Sequence, residues 1–511
     1  MSVYLLGAGP GDPGLLTLRA RDLLQKADVV IYDALASPQV LEFARPGAEL
    51  LYVGKVAGNH ALPQREINRL LQQKARSLGP DAVIVRLKGG DPYIFGRGGE
   101  EAEALSAAGI PFEEVPGISS AIAAPAYAGI PLTHRDMASS LSIITGHERP
   151  DRSGSAINWS ALAQSASTLV FVMGMKNLPH ICRNLIEAGM SPEMPAAVIY
   201  RGTTPMQRSL VASVATLPTE ARAAGFSNPA VIVVGKVCSL ARSLDWFGKK
   251  PLLGKSVVVT RSREQASGMA GMLAALGAHV IQCPTIAIRG LADYDMLDDA
   301  IKKLPTYDWL IFTSANGVEY FWRRLAQAGH DSRAIGCAKV GAIGPATAAA
   351  LEGRGIIADF VPERFVAECV AGGLIARMGE NAHSMRVLLP RAASARDILP
   401  QTLEKAGATV DVCPCYETVP ESTASQDVLE LLEKGKLSCV TFGSSSTVEN
   451  FLRLVPADIL LRHPETLLAA IGPVTAGTLE KHGLKADIMP EQYTIPALVS
   501  AIVDHYAGQQ S

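Results

Sequence analysis

No run of about 18 apolar residues occurs in the 511-residue sequence, which removes a membrane-spanning helix from consideration. The opening Met1-Ser2-Val3-Tyr4-Leu5-Leu6 goes straight into a glycine loop and lacks the basic and long apolar regions of a signal peptide. Charge of one sign is not in excess either. The formal net charge is −2, too balanced for a nucleic-acid binder that works by broad phosphate neutralisation, though a locally basic cleft for a small polyanion stays open. Eight cysteines are scattered at Cys182, Cys238, Cys283, Cys337, Cys369, Cys413, Cys415 and Cys439. They form no CxxC pair and no zinc-like spacing, so they read as buried thiols of a reducing compartment, and no metal site is expected. These absences describe a soluble, cytoplasmic protein without nucleic-acid or membrane partners.

What is present is an ordinary globular composition, 48% hydrophobic and 19% charged, in a chain too long for one core. The first 245 residues alternate short apolar strands with amphipathic helices, which predicts an α/β fold. Strands are expected at 29–31, 82–85, 141–144, 169–172, 196–199 and 231–234, and Leu15, Leu16, Leu18, Leu23 and Leu24 mark one face of a helix. The stretch Leu244-Asp245-Trp246-Phe247-Gly248-Lys249-Lys250-Pro251 breaks this pattern, and a new strand, Val257-Val258-Val259, follows. The domain boundary is placed there.

The second half repeats itself. Val257-Val258-Val259-Thr260-Arg261 returns 130 residues later as Val387-Leu388-Leu389-Pro390-Arg391, and Phe312-Thr313-Ser314 returns at the same spacing as Phe442-Gly443-Ser444. Ile343-Gly344-Pro345-Ala346-Thr347 recurs as Ile471-Gly472-Pro473-Val474-Thr475, two residues closer. One α/β unit has been doubled, and a cleft between similar lobes is a common place for a ligand.

Open α/β sheets bind ligands beyond the carboxyl ends of their strands. In the first half Asp33 follows one strand, Lys55 another, and Arg86-Leu87-Lys88-Gly89-Gly90-Asp91-Pro92 a third. A helix cap for Asp33 and a solvated loop cation for Lys55 are equally compatible with position alone. The opening Gly7-Ala8-Gly9-Pro10-Gly11-Asp12-Pro13-Gly14 is a poor dinucleotide fingerprint, because Asp12 stands at the sixth position and would repel a pyrophosphate. A cationic or neutral ligand suits it better. His134-Arg135-Asp136 is not a kinase loop, since Leu141 occupies the place of the magnesium-binding asparagine.

The ordered motifs Gly7 to Pro13, Val53-Gly54-Lys55, Arg86 to Pro92, Phe95-Gly96-Arg97-Gly98-Gly99-Glu100-Glu101, Val115-Pro116-Gly117-Ile118 and Gly129-Ile130-Pro131-Leu132-Thr133-His134-Arg135-Asp136 carry a resemblance. Over residues 1–247 the chain resembles the uroporphyrinogen III C-methyltransferases of the tetrapyrrole methylase class. The resemblance implies a two-domain α/β fold, S-adenosylmethionine as cofactor, and a homodimer formed through this half. It further implies Asp33 as proton acceptor and Lys55 as proton donor. The cofactor contacts it implies are Pro10, Gly89, Gly90, Asp91, Ile94, Ser119, Ser120, Met173 and Gly202. Val56 stands where relatives often have arginine. Met173, taken by itself, reads more readily as core filler; only its place after the Val170-Phe171-Val172 strand, matching the family, puts it among these contacts.

In the second half Thr313-Ser314 and Ser444-Ser445-Ser446 end equivalent strands, and each Gly-Pro-x-Thr turn leads to a helix. Such turns can aim backbone N–H groups at carboxylates, or simply cap their helices. Arg261, Arg263, Arg391 and Arg396 can pair with an acidic substrate or lie on helix surfaces. With Cys415-Tyr416-Glu417-Thr418, these features make residues 252–508 similar to the uroporphyrinogen III synthases. The similarity implies two α/β lobes, about 254–287 with 417–508 and about 288–416. It also implies Tyr416 as the group assisting loss of the substrate hydroxyl, with a buried structural tyrosine as the other reading. Substrate contacts are expected at Arg261, Thr313, Ser314, Thr347, Arg391, Ser444 and Thr475. Together the halves imply an enzyme that closes hydroxymethylbilane to uroporphyrinogen III and methylates it at C2 and C7. In the alternative, the second half is a tetrapyrrole-binding or regulatory module.

Overall fold

The computed structural model describes residues 2–54, 62–79, 81–146, 157–165, 167–260, 263–284, 286–363, 367–395, 397–420 and 426–508. Lys55, Val56, Arg261 and Arg396 lie outside the described residues, as does the side chain of Arg263. The chain divides into two compact units, Met1–Val257 with Gly271–Val280 and Ile502–Ser511, and Val258–Ala270 with Ile281–Ala501.

The first unit holds two five-stranded sheets. Strands β1 (Ser2–Gly7), β2 (Val29–Tyr32), β3 (Glu49–Tyr52), β4 (Val83–Lys88) and β5 (Phe112–Val115) form a wholly parallel sheet in the order β3-β2-β4-β1-β5. Its inner strands β1, β2 and β4 send apolar side chains into cores on both faces. Val3, Leu5, Ile31 and Ile84 enter one core, and Leu6, Val30, Val85 and Leu87 the other. Strands β6 (Leu141–Thr145), β7 (Thr168–Val172), β8 (Pro195–Tyr200), β9 (Arg208–Ser213) and β10 (Ala230–Val234) form a mixed sheet ordered β6-β7-β10-β8-β9. Only β6 and β7 run parallel in it. Val170, Val172 and Ile199 face one core there, and Phe171, Val198 and Ile232 the opposite one.

The expected leucine helix is shorter than its leucines suggest. A 3-10 turn at Pro13–Leu15 precedes a helix at Leu18–Leu24 capped by the Thr17 hydroxyl. Leu23 and Leu24 are buried, but Leu18, in the first turn, is exposed.

Nine more strands follow, β11 (Ser256–Val259), β12 (His279–Gln282), β13 (Ile286–Arg289), β14 (Trp309–Phe312), β15 (Lys339–Ala342), β16 (Arg386–Ala392), β17 (Thr409–Pro420), β18 (Cys439–Phe442) and β19 (Leu467–Ala470). They form one sheet ordered β12-β11-β18-β19 and another ordered β13-β17-β16-β14-β15. Each sheet therefore takes half of each sequence repeat. The first strand pair of repeat one joins the last pair of repeat two, and the remaining strands join each other. Equivalent phenylalanines anchor the two cores: Phe312 packs edge-on against Phe321, and Phe442 against Phe451, with centroids 5.5 Å apart in both pairs. All four rings are fully buried, and burial of each contributes roughly 1.5–3 kcal/mol.

Candidate active site

At the carboxyl edge of the first sheet, the loops after β1, β4 and β5 converge. Gly9 and Gly90 exchange backbone hydrogen bonds, 3.2 Å in one direction and 2.7 Å in the other. A Cβ at Gly117 would lie 2.2 Å from the carbonyl oxygen of Gly90, so only glycine permits this approach. Asp91 spends both carboxylate oxygens on the loop backbone. Oδ1 accepts from the N–H groups of Tyr93 (2.8 Å) and Ile94 (2.9 Å), and Oδ2 from that of Gly117 (3.2 Å). Its buried side chain shapes the loop, and Ile94 is turned outward and exposed. Ser119 is buried as the N-cap of the helix Ser120–Tyr127, accepting from the N–H of Ala121. Pro10 and Ser120 are half-buried.

Asp33 does not cap a helix; Ser37 holds that position before Pro38–Leu41. Instead its Oδ1 accepts from the N–H of Leu35 (3.2 Å), and its Oδ2 accepts from Arg86 Nη2 (3.1 Å). Arg86 and Lys88 are both buried on β4, the central strand, and both reach Glu101 Oε1, at 3.1 and 3.0 Å. Gln64 Nε2 donates to the same oxygen at 3.1 Å. Glu101 itself is wholly buried, and its Oε2 has no hydrogen-bond partner among the described residues. Burial and the neighbouring guanidinium hold the Lys88 ammonium below the usual lysine value, while Glu101 pulls the other way. Two cations and two carboxylates thus balance, and only Asp33, with 27% of its side chain exposed, borders solvent.

The second sheet supplies facing loops. Met173, directly after β7, is exposed and is not core filler. Gly202, in the loop after β8, lies against the helix Ser120–Tyr127, where an added Cβ would come within 2.3 Å of the Ala124 methyl carbon. Among the described residues, the non-glycine positions with left-handed backbone are Phe95, Arg97, Met173, Arg201 and Thr203. All lie in the loops after β4, β7 and β8. Such backbone costs of order 1–3 kcal/mol per residue and gathers at functional sites. Arg97 also forms a two-pronged ion pair with Glu100, at 2.8 and 2.7 Å.

Sequence reasoning reached Asp33 and the glycine loop but gave no role to Arg86, Glu101 or Thr203. One signal was available. Val83-Ile84-Val85-Arg86-Leu87-Lys88 places two cations in an otherwise apolar run, and a central strand covered on both faces then demands a buried acid.

In the second unit Ser314 caps the helix Ala315–Gln327 through the N–H of Gly317 (2.9 Å), and its Oγ lies 3.0 Å from Tyr416 OH. Tyr416 is buried and stacks on Tyr320, with centroids 5.7 Å apart. Thr313, which precedes Ser314, is half-buried. Ser444 caps Ser445–Leu454 in a reciprocal box with Thr447. Thr347 and Thr475 are buried inside their helices, whose N-caps are Gly344 and Gly472. Arg391 is buried at the end of β16 and ion-paired with Asp397. Among the described residues expected to contact substrate, only Ser314 is hydrogen-bonded to Tyr416.

Residues 2–218 match the family model described as Tetrapyrrole (Corrin/Porphyrin) Methylases, and residues 267–500 match Uroporphyrinogen-III synthase HemD. The chain is 41% identical over 507 residues to the porphyrin biosynthesis protein HemD of Ruminiclostridium josui, covering 99% of this chain and 98% of the relative. It is 42% identical over 355 residues to the uroporphyrinogen-III C-methyltransferase of Bacillus subtilis (strain 168), covering 70% and 72%. Among solved structures it is similar to uroporphyrin-III C-methyl transferase from Thermus thermophilus complexed with S-adenyl homocysteine. That similarity has 40% identity, covers 47% of this chain and 100% of the other, and has a TM-score of 0.41.

Proposed function

This chain belongs to the family that joins a tetrapyrrole methylase to a uroporphyrinogen-III synthase, and we propose that it performs both reactions in sequence. Residues 252–508 close hydroxymethylbilane to uroporphyrinogen III, and residues 1–247 methylate that product at C2 and C7 to precorrin-2, feeding siroheme or cobalamin synthesis. The observation that carries this reading is the tandem match of both families in one chain, with a relative aligned almost end to end.

The cofactor of the first half is S-adenosylmethionine, which supplies a methyl group already activated as a sulfonium. The residues present suit it: the glycine-lined junction of the loops after β1, β4 and β5 admits close backbone approach, with no Cβ to fill it. Pro10, Gly89, Gly90, the backbone of Asp91, Ile94, Ser119, Ser120, Met173 and Gly202 would hold it. Asp33 is the proton acceptor, its carboxylate oriented by Arg86 at the one solvent-facing position of the buried charge cluster. Lys55 is the proton donor. Methyl transfer from an activated donor depends chiefly on positioning, which rigid loops at a sheet edge supply. A homodimer through this half and a cytoplasmic location complete the proposal.

In the second half Tyr416 assists departure of the substrate hydroxyl, with Ser314 hydrogen-bonded to it. One observation favours the alternative, a binding or regulatory module: Thr347 and Thr475 are buried and Arg391 is engaged by Asp397. Freshly generated hydroxymethylbilane with radiolabelled S-adenosylmethionine separates the two. Labelled dimethylated product, and type III rings when the cofactor is omitted, support both activities. Type I rings alone, with labelling restored by added uroporphyrinogen III, leave only the methyltransferase.

A further inference from the structure

Three segments that bear the proposed cofactor contacts are closed into one hydrogen-bonded circuit. Tyr127 OH donates to Asp12 Oδ2 at 2.8 Å, and the Asp12 N–H donates to Thr203 Oγ1 at 3.2 Å. The Thr203 N–H donates to Gln207 Oε1 at 2.7 Å. Gln207 Nε2 then donates to the Tyr127 carbonyl oxygen at 3.0 Å, back at the starting residue. The circuit ties the loop after β1, which carries Pro10, to the helix that begins after Ser119. It ties both to the loop after β8, which carries Gly202.

Several features show that this circuit is built rather than incidental. Thr203 and Gln207 are buried, and Thr203 holds a left-handed backbone, φ +70°, a costly conformation for a β-branched residue. The second Asp12 oxygen accepts from the N–H of Gly14 at 2.7 Å, so the carboxylate is consumed by protein groups. Burial, and then Asp12, push the Tyr127 phenol above the ordinary tyrosine value, which keeps its hydroxyl a donor. The Tyr127 ring packs against Trp246 and Phe247, each with its centroid 4.9 Å away. Trp246 Nε1 also donates to the carbonyl oxygen of Ala126 at 3.1 Å.

We propose that Asp12, Tyr127, Thr203 and Gln207 are positioning residues for S-adenosylmethionine, fixing the spacing of Pro10, Ser119 and Gly202 across the two sheets of the first unit. This rests on the reading that those loops bind the cofactor. Asp12, which disqualified the opening loop as a pyrophosphate cradle, is the residue that locks that loop to the opposite sheet.

Titration calorimetry of the full chain with S-adenosylhomocysteine tests the proposal. Tyr127→Phe removes only the hydroxyl and keeps the ring against Trp246 and Phe247. It should raise the dissociation constant about tenfold, as should Asp12→Ala. The double variant should bind no more weakly than the weaker single one, because either change opens the same circuit. The KM for S-adenosylmethionine should rise by a larger factor than kcat falls, a split that a general loss of folding would not give. Tyr127→Phe affinity within twofold of the wild type, or losses that multiply in the double variant, would overturn the proposal. If Tyr127→Phe does not fold, Gln207→Asn, which withdraws the amide from the Tyr127 carbonyl, is read in the same way. Failure of the wild-type chain to bind S-adenosylhomocysteine would instead defeat the cofactor reading itself.

Discussion

Arg86 sets its Nη2 3.1 Å from Asp33 Oδ2, joining a buried guanidinium on the central strand to a carboxylate that keeps an open edge. Strands β2 and β4 are hydrogen-bonded neighbours, and the residue pair bridges their carboxyl ends. An oriented carboxylate at that place can take a proton or stabilise the positive charge that develops on a methylated carbon.

Asp33→Asn keeps the shape and a hydrogen-bonding oxygen but loses the charge. Methyl transfer should fall by about 10²–10⁴-fold, the usual contribution of a positioned general base. Ring closure should stay within about twofold, because Asp33 belongs to the other half of the chain. Initial rates of label incorporation and of uroporphyrinogen III formation, measured on one preparation, check both. Wild-type methyl transfer would remove Asp33 from the role.

Glu101 neutralises two buried cations at once, so its loss should be costly. Glu101→Gln leaves Arg86 and Lys88 with only Asp33 to balance them, and the expected destabilisation is about 3–5 kcal/mol. Adding Lys88→Met returns the cluster to neutrality and should recover part of that loss. Urea unfolding of the wild type, both single variants and the double variant gives the coupling directly. Simple additivity would mean that the three side chains do not act as one electrostatic cluster.

Strands β2, β4, β7, β8 and β10 were legible because they are buried apolar runs, and the ligand edge was legible because carboxyl ends of parallel strands carry the loops. The doubled half was visible as a repeat, but a repeat says nothing about which strands pair. That β11 and β12 leave their own repeat to join β18 and β19 is a consequence of pairing across more than 150 residues. Glu101 sits in a helix's first turn, where an acid is ordinarily a surface residue facing the helix dipole. Its burial depends on Arg86 and Lys88 arriving from β4. The Tyr127–Asp12 bond joins residues 115 apart, and neither residue type announces the other. Left-handed backbone at Arg97, Met173 and Thr203 is likewise invisible, since these residue types rarely adopt it.

Tyr416 predicts an alkaline signature. Burial raises its pKa above 10.0, the Ser314 hydrogen bond pulls it partway back, and Cys415 adds to the rise. From about pH 10 up to the native pKa, the unfolded chain has released a proton that the folded chain retains, so stability falls as pH rises. The slope for this one group is at most about 1.4 kcal/mol per pH unit, and below about pH 10 the contribution is constant. Tyr416→Phe should lose about 1 kcal/mol at neutral pH with its hydrogen bond and show a shallower alkaline decline. Denaturant unfolding across that range checks the slope. An unchanged decline would mean that Tyr416 ionises equally in both states.

Two adjacent glycines should respond in opposite directions to the same substitution. Gly372 and Gly373 lie within the helix Ala367–Met378. A Cβ at Gly372 would meet nothing within 4 Å, so Gly372→Ala should stabilise by about 0.5–1 kcal/mol by restricting the unfolded chain. A Cβ at Gly373 would lie 2.4 Å from Phe360 Cζ. That ring is held on other sides. It packs in one core with Trp309, Ile311 and Leu374, and the Arg377 guanidinium lies 4.2 Å over it. With the ring held by these neighbours, Gly373→Ala should cost about 1–3 kcal/mol. Thermal melting of the two variants beside the wild type should place one midpoint above it and one below. Two shifts of the same sign would mean that Phe360 has room to move, and that the helix contacts the sheet through a looser core than its burial implies.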